Sequence, residues 1–378
     1  MVPPFCPNPA CPHHHDDARF YAGHWKRAGS YATLVIGRVH RFMCTACGRG
    51  FSERTFSVDY FAKRTLDLRE IHRAVCQGEN LAAVARHLGC SGDSVQNRID
   101  RLARQGIALH ESMQAGLALG EHLVADGFES FDRSQYFPNQ VNLLIGQRSQ
   151  FLYGFTHTTI RRKGRMTPAQ RRTRARIESR YKAPAQGIRD SFARLLATIP
   201  ARWEPTRRPR LALLTDRHRA YPAAIGKVPT LARERIAGRF VHQTYSSTAP
   251  RTVSNPLFPV NYYDRELRKD IAAYRRESTC FSRNVGNGLS RMMLYLVYHN
   301  YEKHFRVGTG DSGRDYPHAV VAGIDPAGIE LAMSRLYEER AFLMRQSVSA
   351  DNGRIWLKEY QTPLKVGGDY LPKHARAG

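Results

Sequence analysis

The chain has 378 residues, 42% of them hydrophobic, and its 58 Lys+Arg against 33 Asp+Glu give a formal charge of +25 and a pI near 10.2. That length supports two or three domains, and so large a positive excess calls for a polyanionic partner, of which nucleic acid is the first candidate. A membrane role is not expected, because no apolar run approaches the ~20 residues of a transmembrane helix. The opening M-V-P-P-F-C-P-N-P has no signal-peptide core, and seven cysteines, an odd number, suit metal binding better than a disulfide framework. A cytoplasmic protein is expected.

Residues 1–57 carry Cys6-x4-Cys11 and Cys44-x2-Cys47, a zinc-ribbon pattern. Four thiolates around zinc replace the apolar core that so short a segment lacks, with strands expected between Tyr31 and Phe42. His13, His14 and His15 read as a solvated loop, since three adjacent histidines cannot all face one ion.

Residues 58–105 turn helical: Leu66, Ile71 and Val75, then Leu81, Val84 and Leu88, then a turn at Gly89-Cys90-Ser91 and a third run with Val95, Ile99 and Leu102. This reads as a helix-turn-helix. Its third helix offers Gln96, Asn97, Arg98, Arg101 and Arg104, residue types that reach base edges and phosphates, or else merely the basic outer face of a three-helix core. Residues 106–120 read as a helical linker.

In residues 121–307 the informative feature is where acids interrupt apolar strands. Leu211 to Tyr221 reads L-A-L-L-T-D-R-H-R-A-Y, so Asp216 arrives where the apolar run stops, and H-L-V-A-D-G-F places Asp126 inside a second such strand. An unpaired buried charge is expensive, so acids in these places hold a cation or a partner, or merely cap turns. Val141–Ile145 and Phe151–Thr156 read as two more strands, Ser191–Ile199 as a helix and Val241–Tyr245 as a fifth strand. Arg161 to Lys182 is a basic run with Glu178 its single acid, either a solvated face or a phosphate clamp.

Leu267, Ile271 and Tyr274 then mark a buried helical face. At about 100° per residue, Asn261, Asp264 and Arg268 share one flank of it and Glu266 the other. Gly288–Phe305 is a further helix, and residues 308–378 read as an extension of unknown role with one helix from Pro326 to about Arg345, capped by Asp325.

At these motifs the chain resembles the transposases of bacterial insertion sequences related to insertion sequence one. The resemblance spans roughly residues 1–305 and rests on the four cysteines ahead of R-G-F-S, on V-A-D-G, on L-L-T-D-R-H-R-A-Y and on L-R-K-D-I followed by T-C-F-S-R. It implies a zinc ribbon, a helix-turn-helix and a ribonuclease-H-like α/β core, a mixed sheet flanked by helices. It also implies zinc on Cys6, Cys11, Cys44 and Cys47, catalytic Mg²⁺ or Mn²⁺ on Asp126 and Asp216, and a third position at Asn261. There the family's usual residue is Glu, with Asn in some related groups. Asp264, one turn along, is the second candidate and Glu266 a distant third. Arg268 is expected on DNA, and His218 reads as a surface histidine or a contact to the scissile phosphate. The partners implied are double-stranded DNA, at element ends and target, and further copies of the chain on that DNA, in a nucleoid-associated bacterial protein. The rival expectations are a non-catalytic, zinc-containing DNA-binding regulator and a stand-alone ribonuclease-H-type nuclease.

Overall fold

A segment as short as residues 1–57 buries little apolar surface by itself, and it folds around its cysteines. The structure, a computed structural model, describes residues 3–15, 23–276, 279–305 and 316–365. After one helical turn, α1 (Pro12–His15), the strands β1 (Trp25–Thr33), β2 (Gly37–Cys44) and β3 (Gly50–Ser52) form an antiparallel sheet in that order. Phe42, Phe51 and Phe56 cluster with Cys6, Cys11 and Cys44, and Phe342 joins them from the far end of the chain. His14 is fully buried with Nδ1 at 2.7 Å from the Cys6 carbonyl oxygen. His14 is therefore part of the ribbon's packing rather than of a solvated loop, whereas His15 is exposed.

Three helices follow, α2 (Leu68–Cys76), α3 (Leu81–His87) and α4 (Gly92–Gln114). Each starts on a side chain that accepts from an otherwise unpaired backbone N–H: Asp67 from Glu70, Asn80 from Ala83 and Ser91 from Ser94. Gly89, at φ +56°, separates α3 from α4 in a conformation that other residues adopt at a cost. The helix expected to end near 105 instead continues to Gln114, and residues 106–114 are the inner half of α4 rather than a linker. Ile107, Ala108, Leu109 and even His110 are buried, because apolar neighbours surround this half on several sides. Gly106 is required there: a Cβ would lie 2.9 Å from Val297 Cγ2.

The second half of the chain builds a mixed five-stranded sheet from β4 (Leu123–Phe131), β5 (Pro138–Gly146), β6 (Leu152–Thr159), β7 (Leu211–Asp216) and β8 (Phe240–Tyr245), ordered β6-β5-β4-β7-β8. β4, β5 and β6 are antiparallel, whereas β7 runs parallel to β4 and β8 parallel to β7. β5, β6 and β7 are buried almost end to end, as strands covered on both faces are, whereas β4 is buried mainly in its first half and the edge strand β8 mainly at Phe240.

Around the sheet lie α5 (Pro168–Glu178), α6 (Gly187–Leu196), α7 (Ala220–Gly226), α8 (Pro229–Ile236), α9 (Phe258–Asp270) and α10 (Val285–Val297). α6 packs on β5 and β6, α9 on β4 and β5, and α10 on α4. α5 buries no residue, which agrees with its highly basic composition. None of the described helices is long and apolar enough to cross a membrane.

The C-terminal region adds α11 (His318–Val321), α12 (Pro326–Leu336) and α13 (Ala350–Trp356). Asp325 does cap α12, accepting from Gly328 N–H at 2.8 Å, but the helix stops well short of Arg345. Beyond it the chain pairs with the ribbon's end: Val58 N–H donates to Glu338 O and Arg340 N–H to Phe56 O. Pairing of that kind needs extended backbone.

Candidate active site and zinc centre

The four ribbon sulfurs all lie within 4.8 Å of one another, with Cys6–Cys47 at 3.6 Å and Cys11–Cys44 at 3.7 Å. None of the cysteines is in a disulfide. Zinc–sulfur bonds of about 2.3 Å make a tetrahedron with edges of roughly 3.8 Å. The spacing therefore suits one structural zinc. His13 Nδ1, 3.6 Å from Cys44 Sγ, is placed to touch a ligand rather than to be one.

The acids are brought together by strand register. Val124 pairs with Leu214 across the parallel β4–β7 ladder, and two residues further along each strand stand Asp126 and Asp216. In-register neighbours on parallel strands face the same side, about 4.8 Å apart. Asp126 Oδ1 accepts from Gly127 N–H at 2.7 Å and from the Tyr221 hydroxyl at 3.2 Å, and Asp216 Oδ1 accepts from His218 N–H at 2.8 Å.

From α9, Asp264 comes near enough to feel the charge of Asp126. Burial, and then the charge of Asp126, push its carboxyl up to about 8 against Arg268, Arg251 and Arg276, and its Oδ1 is buried with no hydrogen-bond partner. Burial, and then the charge of Asp216, push Asp126 up to about 6. Burial raises Tyr221 well above the ordinary tyrosine range, and Asp126, Asp216 and Asp264 all add to that rise. Its hydroxyl thus sits in the field of all three acids. They do not collapse onto one point: among the described residues the cysteines are the only group of three or more such ligands within 4.8 Å of one another.

Asn261 lies one turn before Asp264, half-buried on the same flank of α9. It is not the helix cap, because α9 begins after Leu257, and among the described residues its side chain makes no hydrogen bond. Glu266 is on the other flank, tied to Lys269 at 2.7 Å and Lys303 at 2.5 Å. Arg268 lies with Cζ 4.5 Å above the Phe128 ring and donates to Glu129 O at 3.0 Å, so the sheet holds it beside Asp264.

Next to Asp216 a cleft of about 740 Å³ is lined by Arg161, Lys163, Lys182, Arg189, His218 and Arg219. Glu178, an acid within it, is neutralised by Arg161 at 2.6 Å. His218 is half-buried at this cleft rather than a plain surface histidine.

The basic residues expected to read DNA from α4 face inward. Arg98 meets Asp59 at 3.2 Å and Arg64 O at 2.7 Å, and Arg101 donates to Val58 O and Tyr60 O, both at 2.7 Å. Asn97 accepts from both arginines, Gln96 is shared between Asp100 and Arg291, and Arg104 reaches the Tyr60 hydroxyl. These side chains join α4 to the end of the ribbon.

Tyr221 and Arg251 were not singled out in the sequence as site residues. Tyr221 carried a readable signal: five residues after Asp216, it falls in the first turn of the helix leaving the strand, which folds back over the strand end. Arg251, in an exposed loop, carried none. No protein-family model matches the chain, and no curated protein matches it.

Proposed function

We propose that this chain is a cation-dependent enzyme of phosphoryl transfer on DNA, a transposase of the insertion-sequence kind its motifs resemble, which cuts strands at element ends and joins them to target DNA. The observation that carries this reading is the convergence of Asp126, Asp216 and Asp264, from two neighbouring parallel strands and a covering helix, around the Tyr221 hydroxyl. A mixed sheet flanked by helices and bearing acids in this way agrees with a ribonuclease-H-like core. Like charges so close either take up protons or bind cations, and the unpartnered Asp264 oxygen suits a hard cation such as Mg²⁺ or Mn²⁺.

When bound, such cations neutralise charge on the reacting phosphoryl group and activate the attacking oxygen. The three aspartates would hold them, with Asp264 as the third acid and Asn261 offering a neutral oxygen one turn away. Tyr221 and the His218 N–H fix the carboxylates of Asp126 and Asp216, and the basic cleft beside Asp216 takes flanking phosphates. Cleavage forms a bond from water oxygen to phosphorus and breaks the bond from phosphorus to the 3′ oxygen. The freed 3′ hydroxyl then displaces one ester oxygen of the target strand. More than one copy of the chain acts on the DNA, one at each end.

A non-catalytic regulator leaves the half-buried acid cluster without a role, and a stand-alone nuclease cuts without joining. The test is linear DNA carrying the ends that flank the chain's own gene, incubated with Mg²⁺ or Mn²⁺. Nicks at the ends and joined products are expected. Asp126→Asn, Asp216→Asn and Asp264→Asn should each abolish both while leaving gel-shift affinity nearly intact. If the native chain cuts with neither cation, the enzyme reading fails. Cutting without joining favours the nuclease.

A further inference from the structure

The basic side chains singled out on α4 turn inward, and the β1–β2 hairpin offers DNA the chemistry that they do not. Residues 23–52 contain five Lys or Arg and no Asp or Glu. Lys26, Arg27, Arg38 and Arg41 are all exposed, distributed over both strands. At the tip three aliphatic residues in a row face solvent: Leu34 is fully exposed, Val35 is 55% exposed and Ile36 38%. The tip is nonetheless held in shape. Thr33 Oγ1 accepts from Ile36 N–H at 3.1 Å and donates to Gly37 O at 3.0 Å, and Gly37 supplies the φ of +75° that the turn needs. A preformed tip loses little conformational freedom on binding.

We infer that this hairpin enters a groove of duplex DNA, with Leu34, Val35 and Ile36 against base edges or steps and Lys26, Arg27, Arg38 and Arg41 on the flanking phosphates. The inference rests on the DNA reading above. A two-stranded antiparallel ribbon fits a groove about 12 Å wide, and apolar wedges at base steps are a recurring way of binding and bending DNA. Charge decides between occupants. A second copy pairing along the free edge of β1 would set one acid-free basic hairpin against another. A lipid surface calls for one apolar face with a basic rim, whereas here the cations are distributed over both strands and the hairpin's large exposed apolar side chains are Tyr31 and the three at the tip.

The test measures binding of the full chain to a labelled duplex carrying its own gene's flanking ends and to an unrelated duplex, over a range of salt. Two variants are compared with the native chain: Arg27→Ala with Arg38→Ala and Arg41→Ala, and Leu34→Ser with Val35→Ser and Ile36→Ser. All six substituted side chains are exposed, and zinc content and thermal unfolding check that both variants remain folded. The charge variant should bind both duplexes at least about tenfold more weakly at low salt, with a log–log salt slope shallower by roughly 2–3. The tip variant should lose most of the preference for the end duplex while keeping the salt slope. Native affinity and slope in both variants would overturn the hairpin assignment and leave the enzyme reading intact if cleavage persists. Failure of the native chain to bind any duplex would overturn both. Loss of binding to phosphatidylserine vesicles, or of self-association, with DNA binding unchanged would assign the hairpin to a membrane or to a second copy instead.

Discussion

Asp264 is where the chain bears most electrostatic tension. Its carboxyl is buried, one oxygen lacks a partner, and the nearby charge of Asp126 opposes its ionisation, so it holds its proton up to about pH 8 where a free aspartate loses it near 3.8. Asp126 does the same to about pH 6. A carboxyl with a raised folded-state pKa contributes stability that is fully present below the unfolded value and is lost as pH rises through the folded one. Without cations the protein should therefore lose stability as pH rises from about 4, the loss easing once Asp126 has titrated near 6 and ending once Asp264 has near 8. Asp264→Asn removes the part of this loss that extends to about pH 8. Thermal unfolding of the zinc-loaded chain above pH 8, without added Mg²⁺ or Mn²⁺, should show the variant melting higher than the native chain, and saturating Mn²⁺ should stabilise only the native chain. A variant that melts lower would mean that Asp264 is structural. Burial and a like charge, not any local pattern, give this residue its character.

At the scale of elements, α4 has a different role from the one its composition advertises. Arg101 is 4% exposed, spans the Val58 and Tyr60 carbonyls, and has Cζ 4.2 Å above the Tyr60 ring. Removing it strands two buried carbonyls, so Arg101→Ala should cost roughly 2–4 kcal/mol. Urea unfolding measures this; a loss below ~1 kcal/mol, with DNA affinity falling instead, would return Arg101 to the DNA surface. Residue type indicates that an arginine can donate several hydrogen bonds but not to whom, which is why the inward partners of Arg98 and Arg101 were not legible in the sequence. β7 was legible to the residue, because Leu211 to Asp216 is an apolar run closed by one acid and buried strands look like that. The cysteine pairs were legible for a similar reason, since chelation fixes spacing locally. Asp126 was found by the same rule as Asp216, but that the two stand side by side depends on the Val124–Leu214 register, which no local pattern specifies. On α9 the periodicity placed Asn261, Asp264 and Arg268 on one flank correctly, yet could not say which of them would meet Asp126.

Over the whole molecule, the carboxyl-terminal region ties the parts together. Phe342 enters the ribbon's core and Arg345 lies with Cζ 4.2 Å over Phe5. Asp351 meets Arg194 of α6 at 2.9 Å, Lys358 meets Asp100 of α4 at 2.5 Å, and Thr362 accepts from the first N–H of α10 at 2.9 Å. Every one of these contacts joins residues distant in sequence, so a reading from local pattern found only α12 there. α4, α10 and this strap connect the ribbon with the sheet that carries the acids. The ribbon and the acids thus belong to one continuous body, on which DNA bound at the hairpin is proposed to reach the acids. Asp126, Asp216 and Asp264, from three separate elements, are proposed to make one cation site. Electron paramagnetic resonance of Mn²⁺ added to the zinc-loaded chain tests it directly, since zinc in the ribbon is silent. Bound Mn²⁺ should be seen in the native protein and lost in Asp126→Asn, in Asp216→Asn and in Asp264→Asn alike; equal binding by the native chain and the variant with all three substitutions would contradict the account.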